Sequence, residues 1–329
     1  MSAVVLLEND QLRIVVDPMV GGTIRSVEHR GLGLSVLGKV PWKAETTPLD
    51  PATVTDERVW LSRYSGGWPI LFPNGGDACT FHGVFHGFHG EASIAPWDMQ
   101  MDDRAITLRR RFQTVPVEME REITLDGDLL SIRETARAIG AEATVMWGHH
   151  PSFGSDLLDG PVEIQSNARG FMSDDNYDAP ANPLRPGGKG RWPMVPSKTK
   201  NALFDLSRPR EPLSAMTCLA DFTGAWVTIR RLDNAVGIAL SWDEAVFPYA
   251  WLWFELGGIT DEPWKGQTRL IGVEPNTTWP ANGLAEAEER GGHLLTLRPG
   301  REVTASVRLQ VFKPNGAVRG VNPDGRVIG

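Results

Sequence analysis

An all-β fold, a large sandwich or barrel of antiparallel sheets, is predicted by three features of this chain. Apolar residues recur with a period of two through run after run. Turns rich in glycine and proline separate the runs, and almost nothing shows the 3.6-residue period of a helix. The clearest run is Glu302 to Phe312, which places Val303, Ala305, Val307, Leu309 and Val311 on one face.

The other strands follow by the same pattern. In chain order they are expected at Gln11 to Val16, Ala105 to Phe112, Val117 to Leu125, Leu129 to Ala138 and Thr144 to Trp147. Ala225 to Leu232, Val236 to Trp242 and Ala250 to Leu256 continue the series, and Leu270 to Glu274 is a strongly apolar strand ending before Pro275. Leu125-Asp126-Gly127-Asp128-Leu129 reads as a hairpin turn, because Asp-Gly tolerates the positive φ it needs; Arg231 to Ala235 reads as another. With no helical crossovers, the strands must run mostly antiparallel. Leu284 to Arg290 is the one short helix expected. Trp42 to Val59 is polar and irregular, and Ala179 to Lys200, with five prolines and three glycines, is a long loop of the kind that serves as linker or lid. The strand pattern resumes unchanged after it and no repeat is found, so residues 1–329 are read as one domain.

Composition narrows the function. Hydrophobic content of 41% and charged content of 22% are those of a soluble globular protein with ample core. A net charge of −8 argues against nucleic acid or an anionic membrane as partner. The run Arg109-Arg110-Arg111 is split by strand alternation and reads as a solvated edge. Cys79 and Cys218 are too few for a disulfide framework. The N-terminal stretch lacks a basic, then apolar leader, and no segment reaches a membrane span, so a cytoplasmic location is expected. The chain has 12 tryptophans against 3 tyrosines; indole faces suit the C–H faces of sugars, and they also fill cores.

Five of the seven histidines fall in two clusters: His82, His86 and His89 in FHGVFHGFHGE, and His149-His150 in WGHHPSFG. Histidine titrates near neutrality and ligates metals, so clustering among glycines, prolines and aromatics marks a candidate pocket. On a strand His82 and His86 would share a face opposite His89, and His149 and His150 would face opposite ways. Pro151 holds His150 extended and fixes its direction, while His149 fits a hydrogen-bonded core role. Glu274 lies in an apolar strand whose burial would raise its pKa toward that of a general base. Asp243 and Glu255 are further acids beside aromatic strands, able to hold a polyol or simply to make structural hydrogen bonds. No phosphate-binding loop or nucleophile elbow is present.

These segments, in this order, resemble the galactose mutarotase-like superfamily of aldose 1-epimerases. GGWPILFPNGG leading to FHGFHGEASIAPW is similar to the family's N-terminal His-Gly region. His150-Pro151-Ser152-Phe153 is similar to its central motif, and Glu274-Pro275-Asn276-Thr277-Thr278-Trp279-Pro280 to its C-terminal one. The resemblance runs from about residue 10 to residue 313. It implies a large antiparallel β-sandwich that interconverts the α and β anomers of a monosaccharide without a cofactor or metal. Glu274 would take the anomeric proton and His150 would protonate the ring oxygen. His89, with His86 second, and Trp68, Asn74, Asp243 and Glu255 would hold the sugar. An arginine expected near Asn74 is missing, which leaves the sugar open; Arg63, or an arginine of the long loop, is a candidate partner for an acidic sugar. Two other readings compete: a cupin-type metal enzyme ligated by His82, His86, His89 and Glu91, and a carbohydrate-binding protein of the same fold without turnover.

Overall fold

The alternating runs pair into two eight-stranded sheets in the computed structural model, which describes residues 4–329; Met1 to Ala3, the start of the stretch read for a leader, lie outside the described residues. The first sheet has the order Val162–Ser166, Trp226–Arg231, Gly237–Trp242, Glu302–Phe312, Leu129–Ala138, Val117–Asp126, Ala105–Arg111, Asp98–Met101. The second runs Lys189–Gly190, Gly170–Ser173, Leu213–Ala220, Tyr249–Leu256, Arg269–Asn276, Gly148–His149, Ile70–Leu71, with Ser152–Phe153 also paired to Arg269–Asn276. The pairs within both are antiparallel. Ile132, Leu240 and Leu309 of the first sheet join Ala215, Leu252 and Ile271 of the second in one apolar cluster, so the two sheets close face to face as a sandwich. A four-stranded sheet, Val5–Glu8, Leu12–Asp17, Thr23–His29 and Leu34–Ser35, completes the N-terminal part.

Leu129–Ala138 and Glu302–Phe312 have the bounds read from their alternation, and most other strands shift by a residue. Thr144 to Trp147 is the exception. The strand there is Ala143–Val145, paired with Leu295–Leu297, and Trp147 turns inward to donate its indole N–H to Glu134. Leu213–Ala220 was hidden by its own burial: it is covered on both faces, so apolar residues run on without alternating. In the hairpin at Gly127, Asp126 pairs with Leu129 and the loop is Gly127-Asp128. It is Gly127, at φ +59°, that takes the positive angle.

Both irregular stretches contain structure. Within Trp42 to Val59, Asp56 accepts a hydrogen bond from the Val59 N–H and caps a helix, Glu57–Leu61, that buries Trp60 and Leu61. The proline-rich loop adds Lys189–Gly190 to the second sheet, pairs Met194–Pro196 with Leu203–Asp205, and buries Leu184 and Val195. The expected helix is Leu284–Glu289. Among the described residues no helix is long and apolar enough to cross a membrane.

Candidate functional site

Glu274 stands inside the strand Arg269–Asn276, opposite Trp251, and not at a strand end as its sequence setting suggested. It is 1% exposed and its carboxylate makes no hydrogen bond to any described residue. A charge so placed loses its hydration without compensation, and burial pushes the carboxyl pKa well above its usual range. Two residues earlier on the same face is Gly272, where a β-carbon would lie 2.4 Å from Glu274 Oε1. The missing side chain is what lets the carboxylate fold over the strand.

Across from it, His150 Nε2 lies 3.6 Å from Glu274 Oε1. The backbone N–H of His150 is tied to the Pro69 carbonyl at 2.9 Å, and Nδ1 meets Ser152 Oγ at 3.1 Å. Ser152 Oγ is in turn 2.5 Å from the Tyr64 hydroxyl. Burial raises the Tyr64 pKa, so the phenol keeps its proton. Ser152 Oγ donates to the His150 carbonyl at 3.5 Å, and with Tyr64 and the ring Nδ1–H both donating to Ser152 the imidazole presents a bare Nε2 to Glu274. Burial lowers the His150 pKa to about 4, so the ring is neutral at physiological pH.

His89 supplies the third group. It sits at φ +58° beside Gly90 at φ +75°, a bend that turns the ring back toward His150, whose centroid is 5.5 Å away. The Gly76 N–H donates to His89 Nδ1 at 2.9 Å, which leaves the ring proton on Nε2. Burial and the neighbouring His150 push its pKa well down, so His89 is a neutral, fixed donor.

These three groups line one cleft enclosing about 940 Å³, counting the space open to solvent at its mouth. Its walls are aromatic: Trp60, Tyr64, Trp251, Trp253 and Trp264, with the Trp60 ring 4.7 Å from His89 and Trp253 5.7 Å from His150. Glu57, Asp77 and Asp174 also line it, and among the described residues no lysine or arginine does. Trp60 and Tyr64 come from the capped helix and the turn that follows it. Asp56-Glu57 ahead of an apolar pair was the signal for that helix.

The remaining predicted residues lie elsewhere. Trp68 is fully buried and donates its indole N–H to His149 Nδ1 at 3.1 Å. Asn74 is buried too, its amide bonded to the carbonyls of Asp77 and Gly87 and its oxygen to the Leu284 N–H; it braces the loops around the cleft. His86 is buried outside the cleft. Glu255 accepts from the N–H groups of Gly258 and Ile259, and Asp243 from the Ser306 N–H on the first sheet. Arg63 binds Glu45 and the Thr47 carbonyl and does not line the cleft.

His149 and the proposed metal ligands resolve the same way. His149 Nε2 faces Glu134 at 3.2 Å, and Glu134 also holds Arg121 at 2.6 Å, a buried network in which, against burial that would raise it, His149 and Arg121 keep the Glu134 pKa at about 2. His82 occupies a hairpin tip beside Glu288, with its side chain 66% exposed. Glu91 is taken up by Arg110 and the N–H groups of Gln113 and Thr114. His82, His86, His89 and Glu91 therefore do not converge, and among the described residues no group of three His, Cys, Asp or Glu could hold an ion.

No family model and no curated protein matches the sequence. Among solved structures, the chain is similar to the Slr1438 protein from Synechocystis sp. PCC 6803, with 18% identity over 95% of this chain and 97% of that one and a TM-score of 0.68. It is similar also to a galactose mutarotase-like protein from Lactobacillus casei, with 16% identity over 94% and 100% and a TM-score of 0.64. The aldose epimerase homologue from C. elegans matches with 12% identity over 96% and 100%, and a TM-score of 0.62. The chain has the galactose mutarotase-like fold, over essentially its whole length. At these identities the likeness defines the fold, and the chemistry rests on the cleft.

Proposed function

We propose that the chain is a divergent aldose 1-epimerase, interconverting the anomers of a monosaccharide by acid–base ring opening and closure. The observation that carries this reading is Glu274: a buried carboxylate with no hydrogen bond, 3.6 Å from His150 on the floor of an aromatic cleft. An unpartnered buried carboxylate is costly to a fold, and a ligand hydroxyl is the partner it lacks.

The hydroxyl oxygen and the ring oxygen of an aldose share one anomeric carbon, so they are closer together than Glu274 and His150. Each group can address one of them. The proton held by Glu274 first passes to His150 Nε2; the carboxylate so formed takes the hydroxyl proton while the imidazolium delivers its Nε2 proton to the ring oxygen, which leaves Glu274 protonated and His150 neutral as at the start. The bond from C1 to the ring oxygen breaks and C1=O forms. Rotation about C1–C2 presents the other carbonyl face, and the two protons return as the ring closes. The catalytic pair shares a single mobile proton. Burial disfavours the ion pair in the empty cleft, and the approaching sugar oxygens bridge the two groups and let that proton cross. The Nε2–H of His89 holds a sugar oxygen, and the indole walls cover the C–H faces of the ring.

Magnetisation exchange between the α and β anomeric protons of a panel of aldoses, with and without the protein, tests the reading. Accelerated exchange is expected for at least one aldose. Binding detected by tryptophan fluorescence with no acceleration for any of them would instead select a carbohydrate-binding protein.

A further inference from the structure

The cleft carries four carboxylates, Glu57, Asp77, Asp174 and Glu274, and among the described residues no lysine or arginine lines it. Asp174 is 5% exposed; its Oδ1 is engaged by the N–H groups of Asn176 and Tyr177 at 2.8 Å each, and its Oδ2 has no partner among the described residues. Asn282 Oδ1, also in the lining, is buried without a hydrogen bond. Glu57 and Asp77 line it as well and are exposed. On the donor side, the indole N–H of Trp60 goes to Ser93 and that of Trp251 to the Thr278 carbonyl, while Tyr177 is paired with Ser214. The nearby Arg290 is committed to Asp175 and Glu286.

Nor is this a set of carboxylates that neutralise against protein cations. Burial, and after it repulsion from neighbouring acids, Asp77 and Asp56 acting on Glu57 and Glu286 and Asp174 on Asp77, raises the pKa of each of these two. A ligand that fits must bring donors and positive charge. A protonated amine has three N–H donors and no acceptor, and aromatic faces of the kind lining this cleft attract a cation.

We infer that this cleft selects an amino sugar, an aldose carrying a protonated amine, and disfavours sugars bearing carboxylate, phosphate or sulfonate. The inference deepens the epimerase reading and rests on the cleft being a sugar site. The amine is placed among Asp174, Asp77, Glu57 and the Asn282 oxygen, with the anomeric carbon at Glu274 and His150. Acidic sugars meet these carboxylates with no lysine or arginine among the described lining residues to offset them.

Tryptophan fluorescence titration at mildly acidic pH tests it, with a 2-amino-2-deoxyhexose, its N-acetyl derivative and the parent hexose as probes. The amine is expected to bind at least ~10-fold tighter than either uncharged probe. In the double variant Glu57→Gln, Asp77→Asn that ratio falls toward one. Equal or weaker binding of the amine, or a preference untouched by the double variant, overturns the inference. Anomer exchange on the same three sugars separates it from the reading beneath: equal binding with accelerated exchange sinks only the amine selectivity, whereas amine-selective binding without exchange sinks only the epimerase.

Discussion

Replacing His150 with glutamine perturbs stability and chemistry through one ring. Burial lowers the imidazole pKa from 6.5 to about 4. A depressed folded-state pKa contributes stability that is present above the unfolded value and lost as pH falls through the folded one. Between neutrality and about pH 4.5 the unfolded imidazole protonates and the folded one stays mostly neutral, so this histidine alone removes about 2 kcal/mol of folding stability. Urea unfolding of the wild type and of His150→Gln across that range measures the term. Other groups titrate in both proteins, and the Glu274 shift comes from burial alone; the difference in slope therefore reports the His150 ring together with its effect on the neighbouring His89. The variant should show an acid dependence flatter by about 2 kcal/mol and anomer exchange slower by at least ~100-fold. Identical slopes would refute the claim that burial holds the ring neutral. A flattened slope with near-normal exchange would refute its role as the acid.

Glu274→Gln should abolish exchange and keep sugar binding. Because burial raises the folded pKa of Glu274, the wild type loses stability as pH rises above the usual carboxylate range, so this variant should melt higher than wild type at neutral and alkaline pH. Gly272→Ala places a methyl group against the carboxylate and should slow exchange ~100-fold while the far-ultraviolet circular dichroism stays native. Ser152→Ala cuts the chain from Tyr64 to His150; exchange should fall ~10-fold, and the ¹⁵N shifts of His150 should show a mixed tautomer where the wild type shows Nδ1–H. The wild-type pH–rate profile should be bell-shaped, with its acid limb near the His150 value of about 4 and its alkaline limb set by the raised carboxyl of Glu274.

How much of this was legible depended on whether the information was local. The first sheet has one face wetter than the other, so Glu302–Phe312 and Leu129–Ala138 announced themselves by alternation. The second sheet is covered on both faces, and Leu213–Ala220 carried no such signal. His150, His89 and Glu274 were readable because titratable groups in aromatic, glycine-rich company are uncommon. Trp68, Asn74, Asp243 and Glu255 share that company, yet the sequence did not say which way each side chain turns; strand direction and loop bends decide that, and here they turn toward the core, the backbone or the opposite sheet. The helix Glu57–Leu61 was lost because its cap sits in a polar stretch with only one apolar turn. With it went Trp60 and Tyr64, two of the residues that enclose His150.

Gly272 carries a consequence for reading other chains of this fold. Its backbone is an ordinary strand that any residue could adopt, so a larger side chain there would leave a protein that folds, packs and binds much as before. Only the carboxylate two positions on would lose its seat. A glycine two places ahead of the glutamate thus serves as a marker of chemical competence that the glutamate itself does not provide. Its replacement is a route by which a working enzyme of this shape becomes a silent receptor in a single step.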